Sequence, residues 1–324
     1  MPKVYLIVLS LFFYSCSSND SIHEINGFTM GTTYSIKIVA TTADVVKIKS
    51  NIDNMLNSIN MDMSTYIDSS SISRFNSLKI NDKFSISQDF YNVLKSSRYF
   101  FEITDGAFDP TVNPLVQIWG FSKDSLKKLP TQLQIDNTLE MIGMDNLVMH
   151  NDYSISKNNS FSTIDLSAIA KGYAVDKVSE YLYTLNYKNH MVEIGGEVKT
   201  SGFNSKNAKW RIAIDTPNMQ TVLNISDISI ATSGNYRNYY DINGKRYSHI
   251  ISPKTGYPID NKIVSVSVLT EECLNADALA TALMIMDIED GIALVEKLDG
   301  YESFYILEDD TNRFTTGFKD YLSY

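Results

Sequence analysis

Val264-Ser265-Val266-Ser267-Val268 is the cleanest period-2 stretch in the chain, and Asn275-Ala276-Asp277-Ala278-Leu279-Ala280-Thr281 follows it closely. Alternating apolar and small polar side chains read as a strand, whereas the Ala- and Leu-rich segment reads as a helix over roughly 275–286. Upstream, from His190 to Val268, strand follows strand, with Gly195-Gly196 and Asn243-Gly244 supplying turns. Downstream come a second helix at about 289–298 and a last short strand pair.

Toward the N-terminus the pattern mixes. Phe28, Met30, Thr32, Tyr34, Ile36 and Ile38 alternate as one half-buried strand, and Val45, Ile48, Ile52, Met55, Leu56 and Ile59 recur at helical spacing. A second amphipathic helix starts at Ser87, a suitable N-cap, buries Phe90, Val93, Leu94, Ser97 and Phe101, and ends near Asp105-Gly106. Residues 107–130, with Pro110, Pro114 and Pro130, read as irregular; Asn151-Asp152 marks a hairpin. Phe161–Asp165 reads as a strand leading into a helix over about Ser167–Leu185. Strands and helices without a strict βαβ rhythm indicate an α+β fold, two lobes on a shared sheet.

The 324 residues are 44% apolar and 20% charged, a globular composition. Lys plus Arg number 28 against 38 Asp plus Glu, a formal net charge of -10. Such a surface repels phosphate backbones, so nucleic acid is not an expected partner, and an anionic ligand needs a metal ion or helix N-termini beside it. The cysteines, Cys16 and Cys273, do not read as a disulfide pair, and His23, His150, His190 and His249 lack metal-ligand spacing. No HExxH, CxxC, GxxxxGK[ST] or GxGxxG pattern occurs, which removes the usual support for zinc hydrolases, thioredoxin-like proteins, P-loop enzymes and standard dinucleotide folds.

Residues 1–15 read as a secretory signal: Lys3, then an apolar run from Val4 to Phe13, too short to span a bilayer as a helix. Ser15-Cys16 at its end resembles a bacterial lipobox, so the expected mature protein begins at a lipidated Cys16 followed by a tether over 16–25. That places it in the bacterial cell envelope, outside the cytoplasm and anchored in a membrane.

Several segments carry groups fit for chemistry. Asp277 and Thr281, four residues apart, share a helix face and offer a carboxylate and a hydroxyl to a hard cation such as Mg²⁺; on the residues alone, helix capping by Asp277 with Thr281 as filler is the preferred reading. Asp165, in Asp165-Leu166-Ser167-Ala168, sits before a helix start, as a ligand contact or an N-cap, and Lys171 is a solvated charge or a polar-ligand contact. Thr104–Thr111 turns tightly around Gly106, Ala107 and Phe108, suiting a flat ligand or a plain helix-ending loop. His249 leads into a Pro- and Gly-rich turn, as an acid–base group or a structural histidine. Cys273 reads as a buried, inert thiol.

Together these segments resemble the ApbE family of FAD:protein FMN transferases. The matching pieces are Thr29-Met30-Gly31-Thr32, Met63-Ser64-Thr65-Tyr66, Asp105-Gly106-Ala107-Phe108-Asp109, Asp165–Ala168 with Lys171–Asp176, Gly195-Gly196, His249-Ile250-Ile251 with Pro253–Gly256, and Ala276–Thr281, in order across nearly the whole mature chain. The resemblance implies a mixed, largely antiparallel sheet with flanking helices, two lobes around a central FAD cleft, and one catalytic domain over 26–324. It implies FAD as substrate and Mg²⁺ as cofactor. The FMN half passes to a Thr or Ser hydroxyl of an acceptor protein in a membrane or extracytoplasmic redox complex, with AMP released. It assigns Met30, Tyr66, Ala107, Phe108, Asp109, Asp165, Lys171 and Ile251 to FAD, and Asp277, Thr281 and the Ala168 carbonyl to the metal. His249 is the candidate proton acceptor. Ser252 and Glu197 stand where the family more often has Asp. Two other readings share these residues, an Mg²⁺-dependent FAD pyrophosphatase and an FAD-binding lipoprotein without activity; the intact Asp277–Thr281 pair speaks against the second.

Overall fold

The computed structural model describes residues 20–121, 128–215, 220–236, 239–242 and 244–323. The expected signal peptide over 1–15, Cys16 and Asn243 lie outside the described residues. In chain order the first half comprises β1 (Ser21–Thr29), β2 (Thr32–Ala40), α1 (Val45–Met63), α2 (Ser71–Asn76), β3 (Phe84–Ser85), α3 (Gln88–Ile103), α4 (Asn113–Ile118), α5 (Gln132–Leu139), β4 (Leu147–His150) and β5 (Ser154–Lys157). Then follow α6 (Ala170–Thr184), β6 (His190–Ile194), β7 (Glu197–Ser201), β8 (Trp210–Asp215), β9 (Gln220–Ile225), β10 (Ser229–Gly234), β11 (Tyr239–Ile242) and β12 (Lys245–Ser248). The chain closes with β13 (Ile263–Thr270), α7 (Cys273–Ile285), α8 (Ile288–Val295), β14 (Glu302–Leu307) and β15 (Asn312–Phe314).

Eight strands form the central sheet in the order β1-β2-β6-β7-β10-β13-β14-β15, each neighbour antiparallel. This is the expected α+β architecture. On one face lies the main core, where Val266 and Val268 of β13 meet α7 and the other helices. On the other face Leu223, Ile225, Leu269, Phe304 and Phe318 form a second core beneath the β8–β9 hairpin. A third cluster joins Leu115 and Trp119 to Ile135 and Ile251.

Helix α7 packs on β10 and β13 beside α6, which packs on β6 and β7, and ten of its thirteen residues are buried, from Cys273 and Leu274 to Leu283 and Met284. A helix apolar on all sides survives only inside a core, and its small residues let α6 approach until backbones touch. A Cβ on Gly172 of α6 would stand 2.4 Å from the Cys273 carbonyl oxygen.

The structure corrects several local readings. The alternation from Phe28 to Ile38 is a hairpin, not one strand: β1 and β2 turn at Met30 and Gly31, with φ of 48° and 73°. The two-residue turn inverts the parity: Ile25 and Thr29 are buried in β1 but Tyr34, Ile36 and Ile38 in β2, and Phe28, which continues the alternation in the sequence, faces solvent at 72% exposed. β1 begins at Ser21, so the sheet takes up residues 21–25, which were assigned to a tether. Val264 does not share a face with Val266 and Val268, because a register shift between Ile263 and Ser265 hands its place to Ile263. Residues 107–130 contain α4, whose first turn holds Pro114, where a missing N–H costs nothing. Residues 161–165 form no strand; the Asn76 side chain stands in for a partner, accepting from Ile164 N at 2.7 Å and donating to its carbonyl at 2.9 Å. In α3 the buried ring is Phe100, with Phe101 only half-buried.

Candidate functional site

A cleft of about 650 Å³ opens where the N-terminus of α6, the face of α7 that carries Asp277, Thr281 and Ile285, the end of β10 and the segments 107–112 and 249–253 converge. The size suits a nucleotide-scale ligand. Of the residues singled out in the sequence, Tyr66, Ala107, Phe108, Asp109, Asp165, Ala168, Lys171, His249, Ile251, Asp277 and Thr281 all line it. Met30 does not; it is half-buried in the β1–β2 turn and packs on the main core.

Three charged groups from three elements meet at the floor. Lys171, in the first turn of α6, places its Nζ 2.6 Å from Glu197 Oε1 and 3.9 Å from Asp277 Oδ1. Glu197 and Asp277 are each only 3% exposed. Burial pushes Glu197 up to about 7, with Asp277 adding to the rise and Lys171 opposing it. Burial also raises Asp277, against the pull of Lys171 and of the Gly172 N–H. For Lys171 burial acts downward, but the two carboxylates outweigh it and hold the ammonium above its ordinary value. Glu197 Oε2 is buried without a hydrogen-bond partner among the described residues.

Asp277 does cap a helix, but not its own. Its Oδ2 accepts from Gly172 N at 3.0 Å, in the first turn of α6, while α7 starts at Cys273 behind Glu272. Asp176 of α6 returns the arrangement, accepting from Cys273 N at 3.0 Å and Leu274 N at 2.8 Å. Asp165 is likewise no cap for α6, which begins at Ala170 with Ile169 at its N-cap; its Oδ1 accepts from Ser167 N at 2.8 Å and shapes the turn that carries Ala168. One helical turn beyond Asp277, Thr281 Oγ1 lies 3.0 Å from Ser233 Oγ on β10.

The opposite wall is built by loops. Asp109 accepts from Thr111 N at 2.8 Å and from its hydroxyl at 2.6 Å, and burial raises its carboxyl against those bonds. Phe108 is held by its N–H on Thr104 Oγ1 at 3.0 Å. The 249–258 segment closes on itself through Ser252 N to Tyr257 O at 2.8 Å and Gly256 N to Ser252 O at 2.8 Å. It is tied down by Trp119 Nε1 donating to Gly256 O at 2.7 Å and by Lys254 against Asp105. His249, half-buried, meets the Phe121 ring edge-on at 6.4 Å. Cys273 is fully buried and its thiol is pushed up by burial, so it takes no part.

Ser233, Thr232, Tyr236 and Phe121 were not anticipated. The antiparallel register of β10 on β13 delivers Ser233 opposite Val266, a relation between strands with no local signature. Glu197 carried a signal, a charge directly after a Gly-Gly turn at the start of a buried strand.

The ApbE family model matches residues 30–305. The chain belongs to the ApbE family. The FAD:protein FMN transferase of Vibrio cholerae serotype O1 is 40% identical over 312 residues, covering 94% of this chain and 91% of that protein. The protein of the same name from Haemophilus influenzae is 36% identical over 308 residues, 91% and 89% of the two chains. Among solved structures, the flavin transferase ApbE from Vibrio cholerae superposes with a TM-score of 0.87 at 38% identity, over 94% of this chain and 100% of that one. The apo flavinyl transferase ApbE from Pseudomonas stutzeri gives 0.86 at 31% identity, over 93% and 96%. Asp277, Thr281 and Ala168, which all line the cleft of this ApbE chain, carry a carboxylate, a hydroxyl and a backbone carbonyl. Such an all-oxygen set fits a hard divalent cation. Among the described residues no group of three or more His, Cys, Asp or Glu is placed to hold a metal ion.

Proposed function

We propose that this chain transfers the FMN moiety of FAD to a Thr or Ser hydroxyl of an acceptor protein and releases AMP, with Mg²⁺ held by Asp277, Thr281 and the Ala168 carbonyl. The observation that supports it best is convergence: residues from the first turn of α6, from α7 and from two loops line one cleft. That cleft carries four carboxylates, Asp109, Asp165, Glu197 and Asp277, against Lys171. A diphosphate could not settle there unaided, and a divalent cation is the natural counter-charge. Bound there, it would offset the charge that builds on the diphosphate oxygens as their bond breaks.

The remaining roles fall to side chains of this chain. Lys171 presents its ammonium to the same region, and Ala107 and Phe108 offer a tight, apolar wall to a flat ring. The acceptor oxygen forms the new bond to the FMN phosphorus, the bond to the AMP phosphate breaks, and His249 takes the hydroxyl proton. Tyr66, 70% exposed at the cleft, is placed to cover the ligand. Residues 1–15 are read as a signal, and lipidated Cys16 as the anchor that holds the domain in the cell envelope near a flavin-acceptor protein of a redox complex. Among the described residues no helix is long and apolar enough to cross a membrane.

The test combines the mature protein with FAD, Mg²⁺ and an acceptor domain, following AMP and in-gel flavin fluorescence. Wild type labels the acceptor and releases AMP in step; Asp277→Ala does neither. AMP without labelled acceptor would instead support the pyrophosphatase reading. Loss of palmitate incorporation in Cys16→Ser tests the anchor.

A further inference from the structure

Glu197 is a buried carboxylate that the transfer chemistry does not require. It is not among the metal donors or the groups assigned to FAD, yet it makes the closest ionic contact in the cleft, 2.6 Å to Lys171 Nζ. The Lys171 stem is guided toward it, its Cδ lying 3.4 Å from where a Cβ on Gly195 would sit. Asp277, the other carboxylate within reach, is left at 3.9 Å. An ammonium in a buried setting closes on whichever anion is offered, and here two compete for one.

We propose that Glu197 is a positioning residue that parks the Lys171 ammonium away from Asp277, leaving the Asp277 carboxylate open to the divalent cation. The inference rests on the reading that Asp277 holds that cation. Without the Glu197 charge, Lys171 pairs with Asp277 and becomes a tethered competitor that any incoming cation must displace. With Glu197 in place, one flexible cation serves the ligand and leaves the metal donor free.

The test is a double-mutant cycle read by Mn²⁺ binding, measured by electron paramagnetic resonance on FAD-saturated protein without acceptor. Glu197→Gln weakens Mn²⁺ binding about tenfold in the wild-type background, and by less than about twofold once Lys171→Gln has removed the competitor. An equal loss in both backgrounds would show that Glu197 acts on the metal by its own charge and would overturn the proposal. Lys171→Arg carries the test should Glu197→Gln not fold. A guanidinium fork spans both carboxylates, so Mn²⁺ binding falls although the charge is unchanged, and unchanged binding overturns the idea. Failure of the underlying metal reading looks different: Asp277→Ala would then bind Mn²⁺ as wild type does.

Discussion

Gly172 donates its backbone N–H to Asp277 Oδ2 at 3.0 Å, across the crossing of α6 and α7. The exchange is mutual, because Asp176 of α6 accepts from Cys273 and Leu274 at the start of α7. Each helix thus finishes the exposed donors of the other's first turn. The carboxylate proposed to bind the metal is therefore also the group that aims Lys171, one residue before Gly172, into the cleft.

That crossing leaves no space for a side chain. A Cβ at Gly172 would lie 2.4 Å from the Cys273 carbonyl oxygen and 2.8 Å from the Leu274 Cα, both backbone atoms of a buried helix. Gly172→Ala must push α6 from α7, at about 2–3 kcal/mol. Urea unfolding should show a lowered midpoint with an unchanged slope, and a loss below about 0.5 kcal/mol would refute the close crossing.

His190 supplies a pH dependence remote from the cleft. It is fully buried, its Nδ1 donating to Tyr187 O at 2.8 Å and its Nε2 accepting from Ser179 Oγ at 2.7 Å, and burial holds it below its ordinary value of 6.5. The unfolded chain therefore binds the proton more readily, so stability is lost as pH falls below 6.5 and regained as it rises. Glu197 acts in the opposite sense between 4.5 and about 7. The decisive measurement is thus the difference between wild type and His190→Gln across pH 5–7.5. The gap should narrow toward acid, and a constant gap would remove the histidine from the account.

Much of this molecule was legible from its residues, and the gaps have physical causes. The strand run from His190, the Asn151-Asp152 hairpin and the α7 helix announce themselves by period and turn chemistry, and the structure holds them as β6–β13, β4–β5 and Cys273–Ile285. The hairpin at Met30-Gly31 did not, since methionine is no turn residue and the exposed Phe28 prolongs the alternation of β2 although the buried face has switched. The bulge at Val264 and the Asn76 bridge to Ile164 are long-range events that no local pattern encodes. In the cleft, Asp277 and Thr281 follow from helical spacing. That Asp277 caps α6, and that Ser233 stands beside Thr281, depends on how α7 lies against its neighbours.

Met30 holds φ at 48° beside Gly31 at 73°, the paired left-handed geometry of a tight hairpin turn. Asn tolerates that conformation better than methionine. Met30→Asn should therefore raise stability by about 0.5–1 kcal/mol, after the loss of the methionine's packing on the core. Thermal unfolding in metal-free buffer checks it, and a lowered midpoint would mean that the packing outweighs the strain.

Asp277 should separate stability from activity. Its carboxylate is almost wholly buried, and burial raises its pKa above the ordinary 3.8. A raised carboxyl means that the folded state resists ionisation, so this group subtracts stability as pH climbs above 3.8, and at neutral pH the cost is present. Asn keeps the shape and retains an oxygen for the Gly172 N–H, while Glu197 still neutralises Lys171. In EDTA, Asp277→Asn should then unfold about 1 kcal/mol later than wild type, the gain that follows removal of an under-compensated buried charge. With FAD and Mg²⁺ the order should reverse, because ligand binding raises the wild-type midpoint and the variant lacks the carboxylate to respond. AMP release from the variant should be absent under the same conditions. A variant that is less stable in EDTA would show that the carboxylate earns its place by capping α6 alone, and retained AMP release would detach it from the metal.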